Sequence, residues 1–488
     1  MNRTPFFKEF GPLLFGRRAK DKVAALLESE QLEELYEMFA GCFQQRLLEP
    51  CDRAEGSRRR KLPLSITFWA FISQALSPRS SCRETVARIE AWWRWEQLRQ
   101  AQSVTDSAYC QARQRLGLDL LGMILAQTSY HLERNVLRDE KWLQGRRVKV
   151  VDGTSFSMPD TPDNQERWPQ PSCQKSGCGF PVVQMVGIFS VASGALTAQT
   201  HSDRHTHESL LFERLHETLE KGDIILEDRG FCSYSSMCRL LARKVDTVAR
   251  LHQGRKKDLR QGKALGRWDR LVTWIKPTNR PPGLSRESFV ALPKTLILRL
   301  IKLKVSVPGF RTKEIVLATT LTDPVLYPAD ALRQLYIKRW QVELHFAQIK
   351  TILGIDILRC KSPDMVEKEI LIHLICYNMV RALMQRSAHL YDQPLARMSF
   401  KGTLDTVRQW ACAIRASADK PRKQAELINR MLMAIAADLL PIRPGRSEPR
   451  AKKRRPKNYQ LLTSPRHEMG NLPHRNHGYS KRPKTVLS

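Results

Sequence analysis

The spacing of apolar and polar positions divides the chain into stretches with different periods. Leu62–Leu76, carrying Phe68, Trp69 and Phe71, is apolar enough for a buried helix and stops before Ser77-Pro78. Ser81–Ile89 starts a second helix, and Thr105-Asp106-Ser107 supplies capping chemistry for a third that runs through Leu116. The pattern then changes. Arg147–Val151 is a short β-branched run ending at Asp152-Gly153, and Val182–Val191 and Leu196–Thr200 read as strands around an Ala192-Ser193-Gly194 hairpin turn. Glu208–Leu219 reads as a helix, Asp223–Glu227 as an apolar strand ending at Asp228-Arg229-Gly230, Ser235–Arg243 as a helix and Asp246–Leu251 as a strand. Two long helices follow later, Ala329–Leu353 and Met365–Gln385, with Gly354 as the stop of the first, and Leu404–Leu440 is helical with weaker patterning. Strands followed by alternating helix and strand predict a mixed α+β fold, a sheet with helices packed on it.

The predicted organisation is a helical N-terminal domain (1–140), a sheet-based core in two pieces (145–252 and 323–390), a β-rich basic insertion between them (253–322), a helical C-terminal region (391–440) and a flexible basic tail (441–488). The insertion holds 16 Lys+Arg against 4 acidic residues, yet structure is written into it. Lys302, Lys304 and Ser306 alternate with Leu303, Val305 and Val307, the period of a half-buried strand; Pro308-Gly309 turns the chain and Glu314–Leu321 returns. With Arg267–Ile275 these make a small antiparallel unit with a basic face, whose Trp268 and Trp274 suit either base stacking or a core. The tail holds 13 Lys+Arg, 2 acidic residues and seven prolines, including the run Lys452-Lys453-Arg454-Arg455, so it can neither form a helix nor collapse.

Charge narrows the choice of partner. The 488 residues carry 81 Lys+Arg against 49 Asp+Glu, a net +32, which points to a polyanion and most simply to nucleic acid. Gln111, Arg113, Gln114 and Arg115, on the last of the short N-terminal helices, resemble the reading face of a helix-turn-helix. An apolar content of 42% is ordinary for a globular protein, and no run of apolar residues is long enough to span a membrane. The charges within the apolar start of the chain argue against a secretory signal, and eleven scattered cysteines predict free thiols in a reducing compartment.

Candidate chemistry rests on three carboxylates. Asp152 in VVDGTSF and Asp228 in ILEDRGF each follow an apolar strand, where strand ends place functional groups; either alone is equally a turn residue before glycine. The third element is LYIKRWQVELHFAQIK. On an ideal helix its Tyr336, Arg339, Glu343 and Lys350 fall within an arc of about 60°, beside an apolar arc of Leu335, Val342, Phe346 and Ile349. A salt-bridged surface stripe would show the same charges, but here one carboxylate is set among cations suited to phosphates. Three carboxylates from two strands and a helix are the ligand set of a two-metal phosphoryl-transfer site, since Mg2+ prefers oxygen donors.

Asp152 in VDGTSF, Asp228 in EDRGFCSY and the pattern Tyr336-x2-Arg339-x3-Glu343-x6-Lys350 resemble the DDE transposases of bacterial insertion sequences, in the family of insertion sequence four, known by its tyrosine–arginine–glutamate–lysine motif. The resemblance runs from about Val148 to Arg381; Glu208, Gly222 and Asn378 also stand where the family tends to have these residues. It implies a ribonuclease-H-like catalytic core with a β insertion between the second Asp and the Glu, which lie 115 positions apart here. It further implies that Asp152, Asp228 and Glu343 are catalytic and bind two divalent metals, Mg2+ or Mn2+ in its place. Tyr336, Arg339 and Lys350 would contact transposon-end DNA, and Trp340 would manage a flipped end base. The implied activity is binding of terminal inverted repeats, hydrolysis at each end and attack of the freed 3′-hydroxyl on target DNA. Its setting would be a homodimer that pairs two ends in the bacterial cytoplasm, associated with the nucleoid. A metal-dependent nuclease that never joins, and a catalytically silent DNA-binding derivative, are the rival readings.

Other signals lead elsewhere. His201-x3-His205-x-His207 reads as a polar connection rather than a zinc site, and Cys173 and Cys178 lack a second cysteine pair. His373 and Asn378 read as satisfied core polar groups, and no phosphate-cradling GxxxxGK[ST] loop is present.

Overall fold

The computed structural model describes residues 61–442, apart from 78–79, 96–102, 144, 256–258, 305–313 and 418–419, together with Leu462, Ser464, Pro465 and Glu468. The first 60 residues of the expected N-terminal domain, the Pro308-Gly309 turn and the Lys452–Arg455 run lie outside the described residues.

Among the described residues four helices come first: α1 (Leu64–Leu76), α2 (Cys82–Trp95), α3 (Asp106–Gln114) and α4 (Leu118–Arg134). The expected cap on α3 forms, with the Thr105 side chain accepting from the Ala108 amide. Then follow β1 (Val148–Ser157), α5 (Pro162–Arg167), β2 (Val182–Ser190), β3 (Leu196–Asp203), α6 (Glu208–Leu215), β4 (Ile224–Glu227), α7 (Tyr234–Ala242) and β5 (Asp246–Arg250). The basic segment contributes β6 (Lys263–Gly266), β7 (Asp269–Ile275), α8 (Arg286–Val290), β8 (Thr295–Lys304) and β9 (Glu314–Thr319). The remaining helices are α9 (Ala329–Ile337), α10 (Gln341–Ala347), α11 (Pro363–Leu390), α12 (Phe400–Ala416) and α13 (Pro421–Ala437).

The nine strands among the described residues form one sheet in the order β3-β2-β1-β4-β5-β9-β8-β7-β6. β1 and β5 run parallel to β4, and the other pairings are antiparallel. The antiparallel unit expected in the insertion is present but does not stand apart. β9 pairs with β5, Val248 opposite Thr319, so β6–β9 extend the central sheet. Its charge is not all on a surface either. Arg299 is 1% exposed, and its Nε donates to Asp269 Oδ1 at 2.8 Å while Nη1 donates to the Tyr327 carbonyl at 2.6 Å, fixing the insertion to the start of α9. Trp274 is buried, whereas Trp268 is 47% exposed with Lys302 Nζ 5.0 Å from its ring centre.

Both faces of the sheet are covered. Val148, Val150 and Phe156 of β1, with Ile224 and Leu226 of β4, pack in one cluster with α1, α4 and the helices from α9 onward. On the opposite face Val151, Val186, Ile188 and Ile225 pack against Leu211, Phe212 and Leu215 of α6 and Leu240 of α7. This is why β4 is apolar on both sides: burial on both faces leaves no polar alternation. α11 runs through the interior, and its His373 and Asn378 are satisfied as expected. His373 Nδ1 lies 2.8 Å from the Glu369 carbonyl; Asn378 accepts from the Leu196 amide at 3.0 Å and donates to the Leu196 carbonyl and Thr128 Oγ1, both at 3.1 Å. No described helix is long and apolar enough to cross a membrane.

Candidate functional site

Asp152 and Asp228 sit on neighbouring strands. Asp228 directly follows β4, as the sequence predicts. Asp152 does not end its strand, as the Asp152-Gly153 pair had suggested: β1 continues to Ser157, because Gly153, Thr154 and Ser155 keep pairing with Val186, Met185 and Gln184 of β2. By strand alternation Asp152 shares the face of Val148 and Val150, toward the helices that carry the rest of the motif.

The helical stretch from Ala329 to Ile352 is not a uniform α-helix. A 3-10 turn at Lys338–Trp340 separates α9 from α10, and a π turn at Gln348–Ile352 follows. The tighter 3-10 turn and the wider π turn shift the phase in opposite senses, and the four motif residues differ in exposure. Gly354, at φ 76°, then stops the helix in a backbone region that a side chain would strain. Tyr336 points inward: it is 1% exposed and its hydroxyl donates to the Glu227 carbonyl at 3.1 Å. Burial pushes its phenol well above the usual range. Arg339 is also buried, with Nη1 3.7 Å from Asp152 Oδ2 and Nη2 3.7 Å from Glu343 Oε1, and its guanidinium lies 4.9 Å from the Trp340 ring centre. Glu343 is exposed. Lys350 Nζ donates to Thr154 Oγ1 at 3.2 Å and the Ser155 carbonyl at 2.9 Å, alongside Asp152 on β1. Trp340 is half-buried, edge-on to Tyr336 at 6.0 Å.

A fourth carboxylate joins the group. Glu208, at the start of α6, accepts from Gln184 Nε2 of β2 and lies over Gly153, where a Cβ would overlap its carboxyl atoms. Gly153 thus makes room for an acidic side chain beside Asp152. Desolvation, with the Glu208 and Asp228 charges adding to it and Arg339 opposing, raises the Asp152 carboxyl to about 6. Burial, with help from Asp228, raises Glu208 too. Glu227, the last residue of β4, is fully buried, and neither of its carboxyl oxygens has a hydrogen-bond partner among the described residues; burial pushes its carboxyl well above the usual carboxylate range. In sequence the only signal for Glu208 is its place in the motif pattern, since its approach depends on the missing Cβ of Gly153, 55 positions upstream.

The donor set suits a hard cation: carboxylate oxygens only, held close enough to raise one another's affinity for positive charge. The geometry is partly assembled. No three of the described His, Cys, Asp and Glu side chains stand close enough to hold an ion, and Arg339 occupies the space between Asp152 and Glu343. Elsewhere, His207 caps α6 by accepting from the Ser209 amide, and His201 Nε2 lies 3.6 Å from Glu367.

The sheet and its carboxylates define an α+β protein with acidic groups gathered on two adjacent strands beneath a cationic helix. Residues 143–379 match the family described as the transposase DDE domain, and residues 29–125 match the N-terminal domain of the insertion element 4 transposase. The transposase InsG for insertion sequence element IS4 of Escherichia coli K12 is 28% identical over 414 residues, 82% of this chain and 88% of that protein. The transposase for insertion sequence element IS421 of Escherichia coli is 26% identical over 63% of this chain and 81% of that protein. A solved piggyBac transposase synaptic complex with hairpin DNA aligns over 90% of this chain and 86% of that one, at 10% identity and a TM-score of 0.41. The chain belongs to the DDE transposases of insertion sequences, in the insertion element 4 family.

Proposed function

We propose that this transposase binds the terminal inverted repeats of its element, hydrolyses one strand at each end and joins the freed 3′-hydroxyl to target DNA. The observation that carries the reading is Arg339 standing 3.7 Å from both Asp152 and Glu343, with Asp228 at the end of the neighbouring strand and Glu208 over Gly153. The order β3-β2-β1-β4-β5, antiparallel on one side of β1 and parallel on the other, supports a ribonuclease-H-like core extended by the insertion strands.

Asp152, Asp228 and Glu343 would hold two Mg2+ ions, which when bound supply an activated attacking oxygen and a stabilised leaving oxygen. The chain's own residues set the stage. Arg339 keeps Glu343 near the aspartates, neutralises part of their repulsion and becomes available to a phosphate once the carboxylates have another counter-charge. Lys350 borders the same strand and offers a second cation to the backbone of the end DNA. Trp340, beside Arg339, offers a ring face to an unstacked base. Tyr336 holds the end of β4 through Glu227; a contact with DNA requires its hydroxyl to leave that carbonyl. Two ends must meet, so the working unit is a homodimer.

An assay with inverted-repeat DNA, Mg2+ and a target plasmid tests the reading. Joined products are expected; nicks without joining would show a nuclease, and retardation without cleavage a DNA-binding derivative. Chelation of the metal should stop cleavage and leave end binding in place. Asp152→Asn, Asp228→Asn and Glu343→Gln should each reduce cleavage by roughly a thousandfold or more while binding persists. Normal cleavage by one of them would remove that residue from the site.

A further inference from the structure

Away from the carboxylates, the seam between the N-terminal helices and the core contains a thiol pair. Cys82 is the first residue of α2 and Cys110 lies in α3. Their sulfurs are 3.8 Å apart, and both residues are half-buried on the wall of a cleft of about 690 Å³ that Leu353, Gly354 and Arg359 close from the core side. Arg113 Nη2 stands 3.5 Å from each sulfur, and its guanidinium is held against the rings of Phe71 and Tyr109, at 4.9 and 5.1 Å. Gln74 Nε2 approaches the Cys82 sulfur at 3.8 Å.

Cys82 Sγ therefore faces a guanidinium, an amide N–H and a second thiol at a helix N-terminus, a donor set that favours negative charge on sulfur. Burial pushes the Cys82 thiol up and Arg113 pulls against it. The fixed guanidinium stabilises the charge that develops as the sulfur attacks. Closing the gap to a disulfide length of about 2.05 Å needs a sulfur movement of less than about 2 Å, within reach of side-chain rotation.

We propose that Cys82 and Cys110 are a reversible oxidation site that takes a hydroperoxide as oxidant, with Cys82 as the attacking sulfur. The Cys82 thiolate attacks the O–O bond; an S–O bond forms, the O–O bond breaks, and the departing oxygen leaves as an alcohol or water with the thiol's proton. The Cys110 sulfur then attacks Cys82 Sγ; the S–S bond forms, the S–O bond breaks, and water leaves with the second thiol's proton. Two thiols and one hydroperoxide give one disulfide, one alcohol (or water) and one water. The two sulfurs supply the two electrons that reduce the peroxide. The new bond ties α2 to α3 across 28 positions, within the region that matches the insertion element 4 N-terminal domain.

Treating the reduced full-length chain with hydrogen peroxide, alkylating the remaining thiols and mapping peptides without reduction tests this. A Cys82–Cys110 cross-linked pair is expected while Cys173 carries no disulfide, and dithiothreitol should reverse it. Cys110→Ser should leave a sulfenic acid on Cys82 that dimedone captures. Arg113→Met should slow the reaction severalfold, with Arg113→Lys restoring part of the rate. Cys82 and Cys110 both alkylated in full after Cys173 has been oxidised would overturn the proposal, as would a wild-type rate unchanged in a folded Arg113→Met variant.

Discussion

The aspartate on β1 carries a cost that can be measured without DNA. Burial and the neighbouring carboxylates hold Asp152 at about 6, above its ordinary 3.8. A carboxyl whose pKa is raised on folding destabilises the native state wherever it must ionise. The penalty is absent below about pH 4, grows between pH 4 and 6 and is complete above pH 6. Asp152→Asn should therefore raise folding stability at pH 8 by up to about 3 kcal/mol, with the gain fading toward pH 4. Denaturant unfolding across that range checks it; a gain that grows as pH falls would contradict the assignment. Tyr336 makes the opposite contribution. Removing its hydroxyl in Tyr336→Phe takes that bond from the Glu227 carbonyl and should cost about 1–2 kcal/mol. Cleavage should fall far less than in the aspartate variants, whereas complete loss would give that hydroxyl a direct chemical part. The two aspartates were legible in sequence because apolar runs precede them; the inward turn of Tyr336 was not, since its burial depends on a strand more than a hundred positions away.

Elements were legible where the pattern is local. α1, α3, α7 and α11 lie close to where spacing and caps put them, as do β2, β4 and β5. Three features escaped for physical reasons. The Gly153-Thr154-Ser155 stretch has turn composition, yet β2 supplies partners that keep it extended. The pitch changes on either side of α10 leave the apolar spacing of Val342, Phe346 and Ile349 readable as one helix. The union of the insertion with the central sheet rests on the β5–β9 pairing, a contact between segments about 70 positions apart that no local pattern announces. The close passage of α6 over β1 gives a test at this scale. Gly153→Ala should displace Glu208 and cost about 1–3 kcal/mol, and Gly153→Ala with Glu208→Ala should recover part of that loss. Equal stability in all three proteins would show that α6 does not press on β1.

At the scale of the whole molecule, the proposed function gives the excess of cations the task of holding DNA and the carboxylates the task of cutting it. With a net charge of +32, affinity for DNA should fall steeply with salt. Lys350→Ala should reduce the slope of log affinity against log salt by about one, and an unchanged slope would remove Lys350 from the backbone contacts. Chain and DNA together should complete the site, because Glu343 is exposed and tied to Arg339 while the aspartates already neighbour each other. Counting bound Mn2+ by electron paramagnetic resonance, with and without inverted-repeat DNA, reads this directly. Two ions per chain are expected in the DNA complex, with the wild-type count falling in Glu343→Gln as well as in Asp152→Asn and Asp228→Asn. A DNA complex of Glu343→Gln that binds Mn2+ with wild-type number and affinity would contradict the account.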